Sequence, residues 1–272
     1  MNKSRVRRTD SDKLGFQTSS GKSSERHLKN SDTKLLKGKP DISKNKPTSL
    51  EKADEFFATL EKARGKKLLV CIKGFPDPDN IASALALEWL GSGYGISTKI
   101  IYFENISHHE NRALVKKLDI ELEQYNSEMD LSEYDYYAVN DSQSITLPVS
   151  MAAHCELLCF VDHHKPLGTI AAHFIDIREH AGSASAIYTE YLRVAKTEFR
   201  GDTGAETKIA TALMHGIRTD TDDFINAMAL DYRASQFLAP LVDKDLLALL
   251  ARQAISAKTM DLTQIALQHM DI

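Results

Sequence analysis

Leu157-Leu158-Cys159-Phe160-Val161-Asp162-His163-His164 is a run of five apolar residues that ends in one carboxylate and two imidazoles. An uninterrupted apolar run of this length suits a strand of a parallel sheet, which is buried on both faces. Open α/β sheets bind ligands just outside the carboxyl ends of their strands, which is where Asp162, His163 and His164 would sit. Two other stretches follow the same pattern. Leu68 to Lys73 runs into Gly74-Phe75-Pro76-Asp77-Pro78-Asp79, and Tyr136 to Asn140 runs into Asp141.

Working outward, the spacing predicts helices near 50 to 64, 80 to 92 and 108 to 118, with strands near 67 to 73 and 97 to 103 between them. Short strands are expected near 121 to 124, 135 to 140, 156 to 162 and 172 to 177. From 183 onward the pattern is helical, near 183 to 196, 204 to 218, 231 to 239, 243 to 254 and 257 to 269. Such alternation predicts an α/β fold built on a doubly wound parallel sheet.

Charge divides the chain. Residues 1 to 49 hold 13 Lys/Arg against 5 Asp/Glu, so this segment carries +8 and the remainder -12 of the net -4. Few large apolar residues and no sustained period mark 1 to 49 as a disordered basic tail, open to weak nucleic-acid contact. No apolar run approaches the roughly 18 residues of a membrane span, so a cytoplasmic protein with no membrane partner is expected. Three cysteines without a secretory signal fit reduced thiols. Cys155 and Cys159 beside His154 could be imagined as zinc ligands. Their four-residue spacing, with no second pair elsewhere, favours buried apolar positions.

The acids carry the chemistry. Asp77 and Asp79 alternate with Pro76 and Pro78, whose fixed φ stiffens the loop. The helix that follows offers its amino end to an anion. A fourth cluster, Gly216-Ile217-Arg218-Thr219-Asp220-Thr221, ends a helical stretch. Carboxylates gathered in one fold repel unless a cation or a proton intervenes, so a metal centre explains four such clusters economically. Acids in excess with one or two imidazoles suit Mn²⁺, with Mg²⁺ the second choice. Paired ions about 3.5 to 4 Å apart are a standard device for phosphoester hydrolysis.

The ordered set Pro76-Asp77-Pro78-Asp79 with Ser83, then Asp141, then Asp162-His163-His164, then Gly216 to Thr221 resembles the DHH phosphoesterase superfamily over roughly residues 66 to 240. Gly182-Ser183-Ala184-Ser185 looks like that family's small-residue helix start. The nearest branch by these motifs is the nanoRNase/pAp-phosphatase group. The resemblance implies one or two ions per chain. Asp77 would hold the first, Asp79, His163 and Asp220 the second, with Asp141 bridging both. It also implies His164 on the substrate phosphate, Asp162 orienting the imidazoles, and Ser83 and Ser183 near the substrate. The activity implied is hydrolysis of a phosphate ester of a nucleotide or short oligonucleotide by a metal-activated hydroxide.

Two departures qualify it. Lys73 stands where the family places a histidine, and an ammonium has no lone pair for a metal. Either one ion is weakened, or Lys73 replaces it as an electrostatic clamp in the catalytic site, or hydrolysis is lost. The last outcome would leave a nucleotide-binding regulatory module. The glycine-rich loop of the family's C-terminal substrate domain has no counterpart here. The expected organisation is therefore a tail at 1 to 49, a phosphoesterase domain at 50 to 240, and a helical connector at 241 to 272 that would lead to a missing domain. Oligomeric state stays open.

Overall fold

The computed structural model describes residues 49–252 together with 264, 265, 268 and 269. The expected tail and most of the helix expected over 257 to 269 lie outside the described residues.

Six parallel strands form the centre: β1 (Lys67–Ile72), β2 (Ser97–Tyr102), β3 (Glu123–Gln124), β4 (Tyr136–Asn140), β5 (Glu156–Asp162) and β6 (Phe174–Ile177). Their spatial order is β3-β2-β1-β4-β5-β6. The chain builds outward from β1 to β3, then returns to place β4 against the other side of β1. That reversal opens a crevice at the carboxyl ends of β1 and β4, the position at which doubly wound sheets bind ligands. β1 and β5 are buried along their whole length after the first residue, as their apolar runs require.

The helices are α1 (Ser49–Lys62), α2 (Pro78–Ser92), α3 (His109–Lys117), α4 (Ala184–Val194), α5 (Gly204–Asp220), α6 (Ala229–Leu238) and α7 (Lys244–Arg252). They cover one face of the sheet. Leu68, Val70 and Ile72 of β1 join that helix-covered core, while Leu69 and Cys71 join a second cluster on the other face. Apart from the strand residues Tyr137 and Ile177, the residues packed against this second cluster, among them Tyr125, Ile145, Met151 and Ile170, come from loops and one 3-10 turn. The doubly wound sheet is thus faced by helices on one side and by connecting loops on the other.

α2 lies deepest, almost wholly buried between sheet and helices, and its Ala82, Ala84 and Ala86 let neighbours approach closely. α5 approaches α2 and α4 tightly at Gly216. A Cβ there would lie 2.5 Å from Ser185 Oγ, 2.9 Å from Asp79 Cα and 3.2 Å from the Pro78 carbonyl oxygen. Backbone cannot give way as a flexible side chain can. Gly216→Ala is therefore expected to destabilise the fold by about 1–3 kcal/mol, seen as a lower urea midpoint. An unchanged midpoint would mean that α5 moves away from α2 without cost.

Candidate metal centre

Each acid of the crevice is placed by a specific local device. Asp77 is the N-cap of α2, its Oδ1 accepting from the Asn80 N–H at 2.9 Å, with Pro78 at the first helical position. Asp79, one residue into that helix, is fully buried and reaches across to the start of α4. Its two oxygens accept from the Ala184 and Ser185 N–H groups, each at 2.7 Å. A carboxylate held on two free N–H groups at a helix start is favoured by hydrogen bonding and by the helix dipole.

Asp141 follows β4 with φ +47°, a left-handed conformation that Asp tolerates better than most residues. Its N–H still donates to the Val161 carbonyl of β5 at 2.9 Å, and its own carbonyl accepts from Asn80 Nδ2 at 3.2 Å. Asp220 is the last residue of α5. Just beyond it Asp222, Asp223 and Phe224 all have positive φ (52°, 52° and 71°). Each such residue costs roughly 1–2 kcal/mol. The turn is held by bonds from Asp223 N–H to the Arg218 carbonyl (2.8 Å) and from Asn226 N–H to the Thr221 carbonyl (2.9 Å).

These devices converge on His163. Its Nε2 lies 3.0 Å from Asp220 Oδ2, 3.2 Å from Asp141 Oδ1 and 3.9 Å from Asp79 Oδ2. Donor atoms of Asp79, Asp141, His163 and Asp220 all lie within 4.8 Å of one another. A second set, Asp141, Asp162, His163 and His164, meets the same limit and shares two members with the first. His163 Nε2 and Asp141 Oδ1 are buried, yet neither makes a hydrogen bond of proper direction. Close, buried donors aimed at a common point rather than at each other are what a cation needs. Three carboxylates and one imidazole suit a divalent ion of the Mn²⁺ or Mg²⁺ type, so the residues present fit such an ion.

The electrostatics agree. Burial, then the Asp220 and Asp141 charges, push Asp79 well above the usual carboxylate range. Burial, then Asp141, lifts Asp77 to about 7. Burial also raises Asp220, against the pull of His163. Only Asp141 is lowered, because contacts with His163 and His164 outweigh its burial. Burial opposes a proton on His163, but Asp141 and Asp220 overcome it and raise that imidazole to about 11. From protein charges alone, the cluster balances only by retaining protons. A divalent ion provides the same compensation and leaves His163 neutral as a ligand.

The remaining expected site residues divide. His164 Nδ1 lies 2.9 Å from Asp162 Oδ1, which also accepts the His164 N–H at 3.0 Å, so Asp162 fixes the ring. Asp141 and Asp162 together raise His164 to about 10. Lys73 Nζ donates to Ser144 Oγ at 2.5 Å and to the Ser144 carbonyl at 3.3 Å. Ser83 and Ser183, expected near the substrate, are fully buried. Ser83 Oγ donates to the Asp79 carbonyl at 2.7 Å; Ser183 caps α4 and donates to Asp231 Oδ1 at 3.1 Å. Both hydroxyls thus hold the frame of the site. Cys71, Cys155 and Cys159 are free and buried, and burial pushes the Cys155 thiol to about 11 and the Cys159 thiol to about 12. His154 Nε2 lies 3.0 Å from the Ser132 carbonyl, and no group containing these residues has metal-binding proximity among the described residues.

Sequence reasoning did not single out several residues that shape the site. Asn80 ties α2 to the Asp141 turn. Buried Asp231 accepts from Gly182 N–H (2.8 Å) and Met228 N–H (2.8 Å), joining the starts of α4 and α6. A buried Asp reads in sequence like any helix-start acid, so no local signal marked it.

His215 of α5 was also passed over. It is fully buried, and neither ring nitrogen has a hydrogen-bond partner, although Glu110 Oε1 lies 3.3 Å from Nε2. Burial and then the Arg218 charge pull it from 6.5 down to about 4. The unfolded chain takes up this proton below about pH 6.5 while the folded chain refuses it. Stability is therefore fully present above that pH and is lost as pH falls toward 4, by roughly 3 kcal/mol. His215→Leu should gain stability relative to the unaltered protein between pH 7 and pH 4.5, read from urea midpoints. Parallel pH profiles would contradict this.

No helix among the described residues is long and apolar enough to cross a membrane. No family model matches the chain. An uncharacterised protein of Methanocaldococcus jannaschii is 33% identical over 215 residues, which is 77% of this chain and 43% of that protein. The chain thus spans less than half the length of the curated relative it matches. A structure assigned as a family II inorganic pyrophosphatase of Methanococcus jannaschii gives a TM-score of 0.49 at 22% identity, over 64% of this chain and 55% of the other. An exopolyphosphatase-related protein of Bacteroides fragilis aligns with a TM-score of 0.61 at 16% identity, over 81% of this chain and 66% of the other. The chain shares the fold of that exopolyphosphatase-related protein.

Proposed function

We propose that this chain is a metal-dependent phosphoesterase of the DHH superfamily that hydrolyses a phosphate ester of a nucleotide or short oligonucleotide in the cytoplasm. The observation that carries this reading is the ring of Asp79, Asp141 and Asp220 around His163 Nε2 at the switch point of the sheet. The fold shared with an exopolyphosphatase-related protein, and the order of the acidic motifs along the chain, support it. Mn²⁺ is the ion best suited to three carboxylates and an imidazole.

Asp79, Asp141, His163 and Asp220 would hold the ion, with Asp77 at the edge of the set. A divalent ion held there supplies Lewis acidity and lowers the pKa of a bound water toward neutrality. The protein supplies the rest. Asp162 fixes His164 through Nδ1, which leaves Nε2 as the nitrogen that can donate to a phosphate oxygen as its charge grows. Dense packing around Asp79 and Gly216 keeps the ligands from drifting apart.

Purified protein with Mn²⁺ is expected to hydrolyse at least one of pAp, a di-ribonucleotide, a cyclic dinucleotide or an aryl phosphodiester, and to lose that activity on chelation. Absence of turnover on all four would sink the enzyme reading. Nucleotide binding without turnover would identify a regulatory module instead.

A further inference from the structure

Lys73 stands beside the acids without being paired to any of them. β1 and β4 run in parallel register, Leu68 beside Tyr136 and Val70 beside Ala138. Continuing that register by three residues brings Lys73 abreast of Asp141. Its Nζ nevertheless bonds to Ser144, whose hydroxyl and carbonyl are both neutral. An ammonium has three donors, so one remains for another acceptor. This half-buried ammonium thus rests on neutral oxygens, with no carboxylate in ion-pair range among the described residues.

The faces of the sheet explain the arrangement. Side chains alternate along a strand. Leu69 and Cys71 face the loop-covered cluster, so the alternation carries Lys73 to that side, where Ser144 and Ile145 lie. In β5, Phe160 faces the same cluster and Val161 the helix-covered core. Asp162 and His164 continue the phase of Phe160, whereas His163 turns to the helix side and meets Asp79 and Asp220. His163 thus joins Asp79 and Asp220 on the helix side, while Asp162, His164 and Lys73 lie on the loop side.

A second ion would find few ligands of its own. The two four-residue groups share Asp141 and His163, so two ions would compete for the same donors. His164 Nδ1 is already held by Asp162. Asp77 belongs to neither group and has one oxygen on the Asn80 N–H.

We propose that the site is divided: Asp79, Asp141, His163 and Asp220 hold a single divalent ion, and Lys73, held on Ser144, joins His164 in binding the substrate phosphate where a second ion would otherwise lie. The division rests on the phosphoesterase reading for its substrate, but not for its test. Titration of the full-length protein with Mn²⁺, by calorimetry and by metal analysis, is expected to give one ion per chain. Inorganic phosphate should then bind the Mn²⁺-loaded protein. Lys73→Met should weaken that binding by about tenfold or more with Mn²⁺ stoichiometry unchanged, and Lys73→Arg should largely restore it. Two ions per chain in the unaltered protein would overturn the proposal, as would phosphate binding indifferent to Lys73→Met or weakened equally by Met and Arg. If one ion and Lys73-dependent phosphate binding are found but no ester is hydrolysed, the enzyme reading fails and the divided site stands.

Discussion

Asp141→Asn is expected to abolish tight Mn²⁺ binding and to slow hydrolysis by about a thousandfold or more, while leaving the fold intact. Asp141 Oδ1 faces both imidazoles, at 3.2 Å from His163 Nε2 and 3.4 Å from His164 Nδ1. No other carboxylate oxygen of the site is so central. An amide retains one oxygen but loses the charge, and the ion's contribution to transition-state stabilisation, worth several kcal/mol, goes with it. Folding should be spared because Asn, like Asp, accepts a positive φ, and the bonds that hold this turn use its backbone N–H and carbonyl. Calorimetric Mn²⁺ titration, turnover and urea unfolding measured on one preparation would check all three parts. Retained tight Mn²⁺ binding would remove Asp141 from the ligand set.

Asp79→Asn should behave differently, losing the ion and about 2 kcal/mol of stability as well. Both Asp79 oxygens accept backbone N–H groups of α4. An amide must turn its NH₂ toward one of them, setting donor against donor in a buried place, and an unsatisfied buried donor costs about 1–3 kcal/mol. Removing the charge also relieves repulsion from Asp141 and Asp220. That relief offsets part of the loss, but His163 already compensates much of the same charge, so the lost acceptor dominates. The unfolding midpoint of Asp79→Asn should fall clearly below that of Asp141→Asn. Equal midpoints would mean that the start of α4 finds other acceptors.

Much of this was legible in the sequence for a physical reason. Parallel strands buried on both faces must be apolar throughout, so β1 and β5 announced themselves, and the polar residues that end them marked the crevice. What could not be read was which acids meet. Asp77 and Asp79 look equivalent in Pro76-Asp77-Pro78-Asp79, yet one caps its own helix and the other crosses to α4. The helix position decides this, and sequence spacing does not reveal it. Ser83 and Ser183 look like substrate hydroxyls until burial and their internal bonds are known. The turn after Asp220 contains no glycine, so nothing in Thr221-Asp222-Asp223-Phe224 announces three consecutive left-handed residues. Local backbone bonds that reach back five residues, to the Arg218 and Thr221 carbonyls, hold them. The loop covering of the second face was equally hidden, because apolar loop residues such as Ile145 and Ile170 carry no period.

Asp220 closes the ring around His163 from the far end of α5, more than half the described chain away from Asp79. The order of synthesis gives this a consequence. A nascent chain that has emerged only as far as α4 contains Asp79, Asp141 and His163 but lacks Asp220. An ion held by all four residues would therefore be fully enclosed only after α5 has left the ribosome and docked on α2, which would make ion acquisition a late step in the life of each new molecule rather than a guide for its folding.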